Sequence, residues 1–232
     1  MKFVPTSLFL LNAWCLVGRS VVPHDDDEHQ SPLVWAADDT TSNVREALKD
    51  AELIPDVFDD FVPSFSLEPY YPKKQKAVVL GNHLKPKHVK HTPDVYVDVT
   101  QPSNTTYTLA LSDPDALSRA NPVKAQMCHW IVTNLTIPVS ANGDSGFLGL
   151  NIGRNKPPHV VELESYFPPS PPPKTGLHRY VFALLASKPN STAPAIPRKP
   201  KERPHWGYGK VGAGIREWAA ENELDIVGEY LW

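Results

Sequence analysis

Leu109 to Trp130, LALSDPDALSRANPVKAQMCHW, sets carboxylates, two prolines and a histidine between two apolar runs. The pattern predicts a strand, a structured loop and a second strand. Leu109 and Leu111 alternate with small or polar residues, as on a half-buried strand. Asp113-Pro114-Asp115 is turn chemistry, because proline fixes its own φ and biases the preceding Asp113 toward extended conformations. The chain then returns through Cys128, Trp130 and Val132. Asp113 and His129, sixteen positions apart, are therefore expected at facing ends of neighbouring strands.

A second stretch, Tyr166 to Leu185, YFPPSPPPKTGLHRYVFALL, echoes the first. Its proline loop ends at Gly176 and delivers His178, Arg179 and Tyr180 onto an apolar strand, so the two stretches are expected to build one pocket. DPDALSR, the HW pair after it, and YxxPSPPPxTGLHRYVF together are similar to the phosphatidylethanolamine-binding protein family, which includes lipid-headgroup binders, Raf kinase inhibitors and carboxypeptidase inhibitors. The motifs span residues 109 to 185, and looser similarity runs from about Val44 to the end. The resemblance implies a mainly β fold, with antiparallel sheets in a Greek-key arrangement and a few flanking helices, one of them near the C-terminus. It also implies an anion pocket lined by Asp113, His129, His178 and Tyr180, with Ser170 and Pro171 supplying a proline-loop wall, and it implies no metal and no other cofactor. Leu117, Met127 and Ser170 depart from the residues that members often carry there.

Composition agrees with a β-rich chain. Its 25 prolines against 12 glycines point to stiff connections and few helices, and a single domain over 43–232 suits the length. Strands are expected at Phe65–Tyr70, Ala77–Leu80, Val95–Thr100, Thr106–Ser112, Met127–Leu135, Val160–Ser165, Leu177–Ala186 and Ile226–Trp232. Val44, Ala47, Leu48 and Ala51 recur at helical spacing, and Ile215, Trp218, Ala219 and Leu224 make a second amphipathic stripe. Residues 138 to 159 are rich in glycine and read as a loop, without the Gly-Lys-Ser/Thr ending that cradles nucleotide phosphate.

The first twenty residues read as a signal peptide cleaved after Ser20: Lys2 opens it, Phe3 to Val17 is mostly apolar, and Gly18 and Ser20 are small. The apolar run is shorter than the roughly 20 residues of a membrane span, so at most peripheral membrane contact is expected. Residues 21–42 read as a flexible acidic leader. Sequons at Asn104, Asn134 and Asn190 fit glycosylation, and together they predict a secreted or vacuolar protein. Removing Cys15 with the signal leaves Cys128 alone, so no intrachain disulfide is possible. The formal net charge of −3 gives no overall field for nucleic acid. Arg198, Lys199, Lys201, Arg203 and Lys210 form a basic cluster, read as a stiff connection because of its prolines. His83, His88 and His91 lack a carboxylate or cysteine at ligand spacing and read as a polar loop.

The pocket residues can bind an anion or perform chemistry. A phosphate or carboxylate needs donors, and Tyr180, His129 and His178 offer them; Asp113 can accept from a histidine or bind an ammonium. Phosphoethanolamine would satisfy both signs. Hydrolysis needs an activated nucleophile, and Ser112, Ser118 and Ser170 lie in no nucleophile elbow. The expectation is a monomeric, non-enzymatic headgroup or anion binder, with inhibition of a serine carboxypeptidase as the alternative and hydrolysis a weaker one.

Overall fold

A computed structural model describes residues 40–79, 81–99, 105–136, 146–150, 152 and 156–231. Residues 1–39, which hold the expected signal peptide and most of the acidic leader, lie outside the described residues, as does Asn104. The described chain is mainly β, with three helices: α1 (Thr40–Asp50), the single turn α2 (Leu53–Asp56) and α3 (Ile215–Glu221). The first helix thus begins within the last residues of the expected leader.

The strands are β1 (Phe65–Tyr71), β2 (Lys76–Ala77), β3 (Asp94–Val99), β4 (Tyr107–Asp113), β5 (Met127–Leu135), β6 (Gly146–Gly149), β7 (Val161–Glu164), β8 (Val181–Ser187) and β9 (Leu224–Leu231). They join in one mixed sheet of order β6-β3-β1-β9-β8-β4-β5-β7, with β2 on β1. Neighbours run antiparallel except β1 and β9, which pair in parallel at Phe65–Gly228 and Ser66–Glu229.

Alternation along β4, β5 and β8 divides two cores. Leu109, Leu111, Trp130, Val132, Phe182 and Leu184 face inward with Leu67, Val95 and Val97 of β1 and β3, so the sheet curls over one apolar filling. Ala110, Cys128, Ile131, Val181, Ala183 and Leu185 face the other way, under Val44 and Leu48 of α1, Leu53 of α2, Ile215 and Trp218 of α3, and Trp206. The helices explain why β4 is buried along its whole length rather than half-buried as its alternation suggested. Its polar residues are satisfied internally: Thr108 and Thr133 share a hydrogen bond at 2.7 Å, and Ser112 donates to Gln126 or to the Met127 carbonyl, each at 3.3 Å. Truncating Leu109 or Leu111 to Ala at such a site would cost about 2–5 kcal/mol.

Several expectations differ: the strand expected over Ala77–Leu80 is only Lys76–Ala77, and the one expected from Leu177 begins at Val181. Gly146–Gly149, inside the presumed glycine loop, is β6, whose strand character comes from pairing with β3 at Tyr96–Gly149 and Val97–Leu148. Leu224 belongs to β9, because α3 stops at Glu221 and Glu223 takes a positive φ that turns the chain.

Candidate functional site

Strand register builds the site. Asp113 ends β4 opposite Met127 at the start of β5, and Ser112 pairs with Val181 at the start of β8. The residues just before β8, His178 to Tyr180, are therefore brought beside Asp113. His178 Nδ1 lies 2.9 Å from Asp113 Oδ2, both side chains being nearly inaccessible. The other Asp113 oxygen accepts the Asp115 N–H at 2.7 Å, closing the Asp-Pro-Asp turn. Arg179 in turn grips Asp115 through Nε at 3.0 Å and Nη2 at 2.7 Å, and reaches the Ala51 carbonyl at 2.7 Å. One dipeptide thus holds both carboxylates of the turn and ties them to the end of α1.

Hydrogen-bond accounting fixes the charge of His178. Thr175 Oγ1 donates to the Pro172 carbonyl at 2.8 Å, which spends its hydrogen, so it accepts from His178 Nε2 at 3.0 Å. Both ring nitrogens donate, and the ring is an imidazolium paired with Asp113. Burial opposes that charge, but hydrogen bonding to Asp113 and the charges of Asp113 and Asp115 outweigh it and raise the His178 pKa. Tyr180, stacked on the His178 ring with centroids 6.2 Å apart, has its hydroxyl pKa pushed up by burial, by the Asp113 charge and by hydrogen bonding to Asp113.

His129 is the opposite case. Its Nδ1 donates to the Phe167 carbonyl at 2.6 Å, its own carbonyl accepts the Phe167 N–H at 2.7 Å, and the two rings stack with centroids 5.2 Å apart. Burial lowers its pKa against the partial compensation of that hydrogen bond and of Asp113. Neutral, with the proton on Nδ1, it presents Nε2 as an acceptor rather than the donor expected from sequence. Its ring stands edge-on to Tyr180, centroids 5.3 Å apart, so Asp113, His129, His178 and Tyr180 do form one cluster.

A cavity of about 390 Å³ opens over this cluster, with His178 and Tyr180 in its wall. Pro169, Pro171 and Leu177 form one side, and Leu84, Lys85 and Pro86 the other. Of the residues expected to line it, Ser170 is exposed and does not, and Asp113 and His129 are buried behind the wall rather than in it. The 82–86 wall lies in the stretch expected to be a polar loop, where the density of lysine and proline is the one local signal. Phe167 and Thr175 are not among the residues expected in the site, although both sit inside the recognised proline segment.

Two of the three hydroxyls weighed for a catalytic role, Ser112 and Ser118, are otherwise engaged. Ser112 is fully buried and accepts the Trp206 indole N–H at 3.3 Å, and Ser118 Oγ accepts the Asn121 N–H at 3.1 Å. Cys128 is buried and free, and burial pushes its thiol pKa up, away from reactivity. Among the described residues, no group of His, Cys, Asp and Glu could hold a metal ion. Asn134, at a positive φ, donates its side-chain amide to the His159 carbonyl at 2.9 Å, and Asn190 sits exposed in a turn.

Comparison with known proteins agrees with this architecture. The chain belongs to the phosphatidylethanolamine-binding protein family, whose model matches residues 74–230. Carboxypeptidase Y inhibitor of Saccharomyces cerevisiae is 34% identical over 125 residues, 52% of this chain and 55% of that protein. This chain therefore spans about half the length of the Saccharomyces relatives it matches. CEN-like protein 1 of Nicotiana tabacum is 35% identical over 158 residues, 68% of this chain and 79% of that one. Among solved structures, carboxypeptidase Y inhibitor complexed with the cognate proteinase superposes with a TM-score of 0.69 at 26% identity, covering 84% of this chain and 96% of that one.

Proposed function

We propose that the protein is a non-enzymatic binding protein that inhibits a serine carboxypeptidase. The observation that carries this reading is the superposition on a carboxypeptidase Y inhibitor crystallised with its proteinase, which extends over nearly the whole of that inhibitor. The hydrogen bonds that engage Ser112 and Ser118 support the absence of catalysis by these two hydroxyls. The N-terminal segment and sequons support entry to the secretory pathway and a secreted or vacuolar location, where such an enzyme can be met. Protein recovered from its native host would then begin at Val21 and carry glycan mass on Asn104, Asn134 or Asn190; an unmodified chain starting at Met1 counts against that location.

The test is to titrate this protein into carboxypeptidase Y while it hydrolyses a peptide. Stoichiometric loss of activity is expected, together with a complex on size-exclusion chromatography. Full activity at excess protein, with no complex, would sink the inhibitory reading.

A second reading concerns the pocket itself. The imidazolium of His178 and the ammonium of Lys85 share the wall of the 390 Å³ cavity, which favours a small phosphate- or carboxylate-bearing ligand such as phosphoethanolamine. Calorimetric titration with phosphoethanolamine and with inorganic phosphate checks it: heats that vanish in Lys85→Gln support it, and no heat in the natural protein removes it.

A further inference from the structure

The three sequons belong to chain segments that meet at one end of the sheet. Asn134 stands next to the last residue of β5, Asn190 follows β8, which ends at Ser187, and Thr106, the last residue of the Asn104 sequon, directly precedes β4. Tyr107 pairs with Leu135 on one side and with Ala186 on the other, so these segments gather at the pole opposite Asp113 and His178.

A second cavity, of about 340 Å³, opens at that pole, within the range of roughly 300–1,000 Å³ typical of small-molecule sites. Its floor is a row of hydroxyls from adjacent strands, Thr133 of β5, Thr108 of β4 and Ser187 of β8, with Thr106 beside them and Asn190 itself in the wall. Thr108 and Thr133 are buried 2.7 Å apart and hold two hydroxyl hydrogens, of which the bond between them uses one. The other meets no acceptor among the described residues and is left for whatever fills the cavity. Lys188 is the one ionisable group in the lining, and it neighbours Asp225 at 3.7 Å. The lining therefore suits a neutral ligand rich in hydroxyl and amide groups rather than an anion.

The Asn190 sequon is held at the rim. Glu223 accepts the Ser191 hydroxyl at 2.7 Å and the Thr192 N–H at 2.8 Å, and the Ser191 N–H closes a turn on the Lys188 carbonyl at 3.0 Å. A sugar joined to Asn190 starts from a fixed point beside the cavity, which reduces the ordering cost of seating it.

We propose that this cavity is a saccharide seat, occupied by the proximal N-acetylglucosamine of a glycan on Asn190, whose hydroxyl and acetamido groups meet Thr106, Thr108, Thr133 and Ser187. This rests on entry to the secretory pathway and goes beyond it by giving one glycan a place in the fold.

The test takes protein from its native host, digests it while folded with an endoglycosidase that cuts between the first two sugars, and follows the peptide carrying Asn190 by mass spectrometry. Cleavage about tenfold slower than on the excised glycopeptide is expected, the factor that one or two net hydrogen bonds supply. Thr108→Val with Thr133→Val should bring the rate toward that of the peptide at an unchanged melting temperature, because replacing both partners by groups of the same shape is nearly neutral. Deglycosylation of the natural protein should also speed amide exchange at Ser187 and Lys188. Equal cleavage of folded protein and peptide overturns the proposal, as does protection that ignores the double substitution or exchange that ignores the sugar. Retention of natural and deglycosylated protein alike on immobilised chitobiose assigns the cavity to the glycan of another molecule and overturns self-seating. An unmodified Asn190 in a chain beginning at Val21 overturns the seat and leaves the secretory reading standing, whereas an unmodified chain beginning at Met1 removes both.

Discussion

His178 and His129 lie within one cluster and hold opposite charge states, because their partners differ in kind. A carboxylate and an already-donating hydroxyl leave His178 no nitrogen to accept with, whereas a carbonyl facing buried His129 requires only one proton. Their contributions to stability therefore oppose each other in pH. With a raised folded pKa, His178 stabilises fully below the unfolded value of about 6.5, and that gain is lost as pH rises through its folded pKa. His129, with a lowered folded pKa, contributes stability above about 6.5 that is lost as pH falls through its folded value. Histidine NMR should show one ring titrating above the ordinary value and one below it, and Asp113→Asn should bring the upper titration down. Two rings titrating together near the ordinary value would exclude the ion pair. The pairing of Asp113 with a histidine was legible from the two motifs. Which histidine is charged was not, since that depends on the Pro172 carbonyl facing Thr175.

Between elements, Arg203 shows what charge patterning conceals. In sequence it is one member of a basic cluster on a proline-stiffened connection. In the fold its guanidinium pairs with Glu164 at 2.7 Å, donates to the Cys128 carbonyl at 3.0 Å and the Ser165 carbonyl at 2.8 Å, and lies 5.4 Å from the centroid of the Phe167 ring. It fastens the end of β7 and the start of the proline loop to β5, and so holds the stack of Phe167 on His129. Arg203→Ala leaves the nearly buried Glu164 with Lys199, at 3.4 Å, as its one ion-pair partner among the described residues, and should destabilise the protein by about 3 kcal/mol. Denaturant unfolding measures that cost, and faster hydrogen exchange at the Phe167 amide would locate it. Nothing local marks Arg203 among its neighbours, because its partners lie some 40 to 75 positions upstream.

For the whole molecule, β4, β5 and β8 were legible because their apolar runs are long, and the helical stripes of α1 and α3 because their period is clear. β6 and the parallel contact of β1 with β9 were not: a four-residue, glycine-flanked strand owes its state to its neighbour, and no local pattern reports strand direction. Gly228 permits the parallel contact, since a Cβ there would meet the Phe65 carbonyl oxygen at 2.9 Å and the Phe65 Cβ at 3.1 Å. Gly228→Ala should therefore cost about 1–3 kcal/mol, read as a lower urea midpoint. Unchanged stability would show that the strands separate freely.

That junction also sets an order of events during synthesis. Among the described strands, β6, β3 and β1 connect to β8, β4, β5 and β7 only through β9, which leaves the ribosome after all of them. Phe65 consequently waits about 160 residues for the partner that closes the sheet beside it. Until then the nascent chain carries two incomplete sheet fragments with open edges, the state in which chaperone contact is most needed.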